Sequence, residues 1–136
     1  MKPRYLLDTG MMGDFIDHRR GVDSRVREAR QQGARIGTCM PVVGELFFGM
    51  ELSSNRDENL KTLKRALSGM VCWPFDRQAA EEFGRVAAAL RRIGRPMQQI
   101  DIQIAAIALS LGNCTVVSGD SDLAAVPGLT VENWAT

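Results

Sequence analysis

Short apolar runs alternate with helical patterns along the whole chain, and no other feature limits its possible folds so tightly. The apolar runs are RYLL (4–7), ARIGT (34–38), MVCWPF (70–75), NCTVVSGD (113–120) and PGLTVENW (127–134). Between them lie segments whose apolar residues recur every three to four positions. MMGDFIDHRR (11–20) places Met11, Phe15 and Ile16 on such a spacing, and DSRVREARQQ (23–32) is stopped by Gly33. PVVGELFFGMELSS (41–54) opens with proline at a first helical position. NRDENLKTLKRALS (55–68) carries Leu60, Leu63 and Leu67 on one face. DRQAAEEFGRVAAALRRIG (76–94) opens on Asp76 as a candidate N-cap, and IDIQIAAIALSLG (100–112) reads as a buried helix ended by Gly112. Strands alternating with helices are the sequence form of a parallel sheet in an α/β fold. No repeat, low-complexity tract or linker interrupts the pattern, so the expectation is a single domain over 1–136.

A length of 136 residues can bury a core without disulfide or metal staples. Seventeen Lys+Arg against sixteen Asp+Glu leave a net charge of +1, which favours no polyanionic partner by itself. Cys39, Cys72 and Cys114 are widely spaced, with no CxxC and only His18 to assist. That excludes a disulfide framework and a zinc site; buried small hydrophobes are the expectation. The opening MKPRYLLDTG has no signal-peptide apolar core, and no apolar run reaches membrane-spanning length. The expected setting is a reducing cytoplasm, without a membrane. Aromatic residues make up only 6%, which argues against a base-stacking platform.

Asp8-Thr9-Gly10 is the tripeptide of aspartic proteases. That reading requires an almost wholly β chain and two such loops brought together, and the helical content rules against it. The placement of acidic residues offers a better account. Ligands of open parallel sheets bind beyond the carboxyl ends of the strands. Asp8 follows the first apolar run, and Asp120, with Asp122 two residues on, follows TVV. Glu45 interrupts the apolar VVGELFFGM, and Asp101 opens DIQIAAIAL. Each has an ordinary structural reading as well. Asp8 and Asp101 suit N-caps, Asp120 and Asp122 suit a turn, and Glu45 suits a solvent-facing position, although Val42, Leu46 and Gly49 surround it on its face. Taken together, carboxylates gathered in an apolar setting raise one another's pKa unless a cation neutralises them. Oxygen ligands without His or Cys suit Mg²⁺ or Mn²⁺. Such an ion supports hydrolysis of a phosphodiester.

YLLDTG, VVGELFFGMELS, GRPMQQIDIQIAAIALSLG and TVVSGDSDLAAVPGLTVENW together resemble the PIN-domain ribonucleases, in particular the VapC-type toxins of bacterial toxin–antitoxin pairs. The match runs through nearly the whole chain in the family's order. The resemblance implies a three-layer fold around a parallel sheet of about five strands, and a pocket holding Mg²⁺ or Mn²⁺. It implies an RNA substrate, a homodimer and a cognate antitoxin that blocks the pocket. By position, Asp8, Glu45, Asp101 and Asp120 match the metal-binding acids and Asp122 the more variable fifth. Thr9 and Ser118 match hydroxyl residues lining the pocket. The chain departs from the family at Gly10, where asparagine is usual, and at Ser118-Gly119, where Thr-Asn is common. Loss of two amides supports an alternative reading, a PIN-like module that binds RNA or protein without cutting.

Basic residues occur in short groups: Arg19-Arg20, Arg25 to Arg35, Lys61 with Lys64-Arg65, and Arg85 to Arg95. Arg91, Arg92 and Arg95, just upstream of Asp101, are the best candidates for RNA phosphates; Arg25, Arg27 and Arg30 read as a solvated helix face. Met11, Met12, Phe15, Phe47, Phe48 and Met50 read as core, with a groove for a partner's helix as the alternative.

Overall fold

A computed structural model describes residues 2–136. Five strands alternate with six helices: β1 (Arg4–Leu7), α1 (Thr9–Ile16), α2 (Val22–Gln31), β2 (Arg35–Cys39), α3 (Met40–Glu51), α4 (Arg56–Ser68), β3 (Val71–Trp73), α5 (Arg77–Arg92), α6 (Gln99–Leu111), β4 (Cys114–Val117) and β5 (Thr130–Glu132). All pairings are parallel, in the order β3-β2-β1-β4-β5. β1 is therefore central, and the chain reverses its direction of travel across the sheet between β1 and β4. Right-handed crossovers on the two sides of that reversal place α1–α4 and α5–α6 on opposite faces. The expected α/β fold with a five-stranded sheet flanked by helices is what forms.

Burial explains why β1 and β4 end on consecutive apolar residues rather than alternating ones. Leu6 and Leu7 of β1, and Val116 and Val117 of β4, are all fully buried. Helix α6 packs Ile104, Ala105, Ile107 and Ala108 into the same core. Strand β2 approaches β3 so closely that a Cβ on Gly37 would press into the Val71 carbonyl oxygen and lie 2.9 Å from the Trp73 ring. Only glycine fits there.

Two local expectations are corrected and one element is added. The first helix was expected to run through residue 20 but ends at Ile16, because His18, Arg20 and Gly21 turn the backbone left-handed (φ 53°, 56° and 74°). A 3-10 turn over Ser121–Ala125 follows β4, too short to leave a periodic signature. Phe48 is 67% exposed, whereas Met11 and Met12 are buried and Phe15, Phe47 and Met50 pack partly against the core. Cys39 is buried, Cys72 and Cys114 are partly so, and all are free. Burial pushes the Cys39 and Cys114 thiols up to about 12, so they stay protonated and inert. Among the described residues, no helix is long and apolar enough to cross a membrane.

Candidate active site

The carboxyl ends of β1 and β4 lie side by side at the point where the chain reverses across the sheet, the position where open α/β sheets bind ligands. Register fixes this: Leu7 pairs with Val117, and the Asp8 N–H donates to the Val117 carbonyl at 3.0 Å. Asp8 and Ser118 thus leave the sheet as neighbours. Asp8 Oδ1 accepts from the Met11 N–H at 2.8 Å, capping α1. The Ser118 hydroxyl, only 2% exposed, bonds the Asp8 carboxylate and accepts from the Asp120 N–H at 2.9 Å. Asp120 Oδ1 in turn accepts from the Asp122 N–H at 2.9 Å and caps the 3-10 turn. For Asp8 and Asp120 the ordinary capping role and the place in the cluster hold together.

Glu45 reaches the same region from α3. It is exposed rather than enclosed, since α3 buries Val42, Val43 and Leu46 instead, and its Oε1 accepts from the Thr9 hydroxyl at 2.5 Å. Asp101 is not an N-cap. Gln98 holds that position without a side-chain bond, and Asp101 sits in the first turn of α6, where the helix dipole favours a carboxylate.

Electrostatics shows that the acids converge. Burial raises the Asp8 pKa, the Ser118 hydroxyl and the Met11 N–H oppose the rise, and Asp120 and Asp14 add to it. Burial likewise raises Asp101, followed by the negative charges of Asp120, Asp8, Glu45 and Asp122. Asp101 therefore feels all four of the other expected acids. Asp120 is shared between two hollows, one lined by Asp8, Gly10, Asp14 and Asn133 and the other by Asp101, Asp122, Gln98 and Met97.

Mutual repulsion among carboxylates favours a divalent cation, and an all-oxygen donor set suits Mg²⁺ or Mn²⁺. Among the described residues no group of three or more His, Cys, Asp or Glu side chains is arranged to hold a metal ion directly. The arrangement fits an ion held by one or two carboxylates that keeps waters and a substrate phosphate for its remaining positions.

Of the basic candidates, Arg95 lies 3.5 Å from Asp122 Oδ1. Arg91 joins it around an apolar hollow with Leu90, Met97 and Ile102, which shares Pro96 and Met97 with the acidic one. Arg92 lines neither. Asp14, Asn133, Arg19 and Arg20 also border the Asp8 hollow. The sequence marks only the Arg19-Arg20 pair, as one of four basic groups that could frame the acidic pocket.

The PIN-domain family model matches residues 5–129. The chain belongs to the PIN-domain family. Among PIN relatives, the ribonuclease VapC2 of Haemophilus influenzae is 28% identical over 131 residues, covering 96% of this chain and 98% of that one. The tRNA(fMet)-specific endonuclease VapC of Shigella flexneri is 29% identical over 132 residues, 97% and 98% of the two chains. The PIN fold here also superposes on the DNA-bound VapBC of Salmonella typhimurium with a TM-score of 0.89, at 27% identity over 99% of this chain and 100% of that one.

Proposed function

We propose that the chain is a Mg²⁺- or Mn²⁺-dependent endoribonuclease and the toxin of a toxin–antitoxin pair. The observation that carries this reading is the approach of Asp8, Glu45, Asp101 and Asp120 from four separate elements where the sheet reverses, with Asp8 and Asp101 each raised by burial first and by acidic neighbours after it. The VapC ribonucleases and the VapBC structure described above support the choice of RNA as substrate and of an antitoxin as partner.

Of Asp8, Glu45, Asp101 and Asp120, one or two would hold the cation directly and the others through its waters, with Asp122 at the margin. A bound divalent ion supplies an activated water and offsets charge on the phosphate. The protein's part is positioning. The Ser118 hydroxyl and the Met11 N–H fix the Asp8 carboxylate, and Thr9 fixes Glu45. Arg91 and Arg95, beside the Asp101–Asp122 hollow, would contact flanking RNA phosphates. Gly10 and Gly119 leave these bonds intact, which favours a nuclease over a purely binding module.

The test is incubation of the purified protein with total RNA and with initiator tRNA, in Mg²⁺ or Mn²⁺, beside a chelator and a matched DNA strand. Discrete RNA fragments that appear only with metal, and intact DNA, are expected. Intact RNA in every lane, from protein freed of any bound partner, refutes the catalytic reading.

A further inference from the structure

The turn between α1 and α2 brings Arg20 to the acidic site in a conformation that the chain holds at some cost. His18 and Arg20 both have left-handed backbone, at φ 53° and 56°, a region disfavoured for any residue with a Cβ. Such geometry persists only where the surroundings over-determine it. Here the Arg20 carbonyl accepts two hydrogen bonds from Thr136, from its N–H at 2.9 Å and its hydroxyl at 3.0 Å. Thr136 is itself held in place two residues after Trp134, which is 3% exposed and packs on Tyr5 at 5.0 Å and under the Arg25 guanidinium at 5.1 Å.

The two arginines of this turn differ in charge partners. Arg19 is engaged by Asp14 at 3.6 Å and Asp17 at 3.1 Å. Arg20 has no carboxylate partner among the described residues, although it borders a hollow of about 550 Å³ that also contains Asp8, Asp14 and Asp120. That volume lies within the range of ligand pockets. Gly119 and Gly10 keep the space between open.

We propose that Arg20 is a substrate-binding residue that grips the RNA phosphate at the cleavage site, from across the hollow that separates it from Asp8 and Asp120, and that Thr136 is its positioning residue. The inference rests on the nuclease reading and deepens it. A phosphate seated there meets the guanidinium on one side and the cation-binding acids on the other. The planar fork of arginine suits two phosphate oxygens at once, and a fixed donor at developing charge acts most strongly when it is pre-positioned.

The test compares the wild type with Arg20→Gln, Arg20→Lys and Arg20→Gly in three measurements. Single-turnover cleavage of a short oligoribonucleotide should fall by about 100-fold in the Gln variant, the scale of losing one charge-stabilising donor. Lysine should restore part of the loss but not all, because it cannot form the fork. Binding of the same oligonucleotide in chelator, followed against salt, should lose about 0.7 from its log–log slope when one phosphate contact goes. Arg20→Gly should melt no lower than the wild type, since glycine accepts the left-handed backbone, yet cut as poorly as the Gln variant. A Gln variant with wild-type cleavage and wild-type salt slope overturns the proposal, as does a Gly variant that is slow only because it unfolds. If the wild type itself cuts no RNA, the nuclease reading has failed, and the salt slope still decides whether Arg20 holds a phosphate.

Discussion

Replacing Asp8 with asparagine should make the protein more stable and abolish its activity, and the structure lets both effects be worked out. Asparagine preserves the cap on α1, because its side-chain oxygen accepts from the Met11 N–H as Asp8 does at 2.8 Å; the two residues are equivalent as caps. It also keeps a partner for the buried Ser118 hydroxyl. What it removes is a charge that burial, Asp120 and Asp14 all disfavour. Alanine removes the bonds as well, costing about 1 kcal/mol for the cap and about 1–3 kcal/mol for a buried hydroxyl deprived of a partner. With 136 residues, unfolding entropy is roughly 0.29 kcal/mol/K, so 1 kcal/mol moves the melting midpoint by about 3.5 °C. The alanine variant should therefore melt about 7–14 °C below the asparagine variant. The pH dependence follows from the direction of the shift. A carboxyl with a raised pKa in the folded state contributes stability that is complete below its ordinary value of 3.8. That contribution is lost as pH rises through the higher folded value. Asparagine should thus melt above the wild type at about pH 7 and lose that advantage near about pH 3. Cleavage should drop by at least about 100-fold, the upper range for disturbing groups that merely support a metal ligand. Melting followed by circular dichroism and a gel assay for RNA suffice. An asparagine variant that melts below the wild type at neutral pH refutes the repulsion argument, and one that still cuts refutes the metal-site assignment.

Two further predictions concern glycines. Gly37→Ala should destabilise the fold by about 1–3 kcal/mol, the range for overpacking, because its Cβ would collide with the Val71 carbonyl and the Trp73 ring; a denaturant midpoint equal to the wild type's would show that β3 moves aside freely. Gly119→Asn should fold normally, since a Cβ there meets nothing nearer than Met11 Cε at 3.7 Å, and should raise cleavage by returning an amide to the pocket; an equal or lower rate would show that this chain does not use the amide.

The fold was legible because parallel strands buried on both faces need unbroken apolar stretches, and RYLL and CTVV each end on one. Asp8 and Asp120 stood out for the same reason, as the first charged residues after such runs. Glu45 was legible as an anomaly in an apolar helix, with a solvent-facing position as one reading; the choice was left to the structure because the face that α3 turns inward depends on tertiary packing. Asp101 was placed in the right element and given the wrong capping role, since Gln98 begins that helix without any of the usual side-chain signals. Asn133 escaped, and Arg20 was not separated from the other basic groups, because their place depends on the segment after β5 returning to the α1–α2 turn. No local pattern encodes a contact between residues 20 and 136. Arg92 shows the opposite case, a nearby sequence position that the end of α5 leaves outside both hollows.

The pairing of β1 with β4 joins Arg4 to Cys114 and Leu7 to Val117, so the two halves of the acidic site are separated by most of the chain. Contacts of such long sequence separation form late, after the loop between them has been closed. As the chain folds, Asp8 stays a lone carboxylate until β4 has docked beside β1. Any fragment of these residues that lacks β4 therefore keeps Asp8 without an assembled site. The topology thus ties the appearance of the acidic cluster to the closing of its central strand pair.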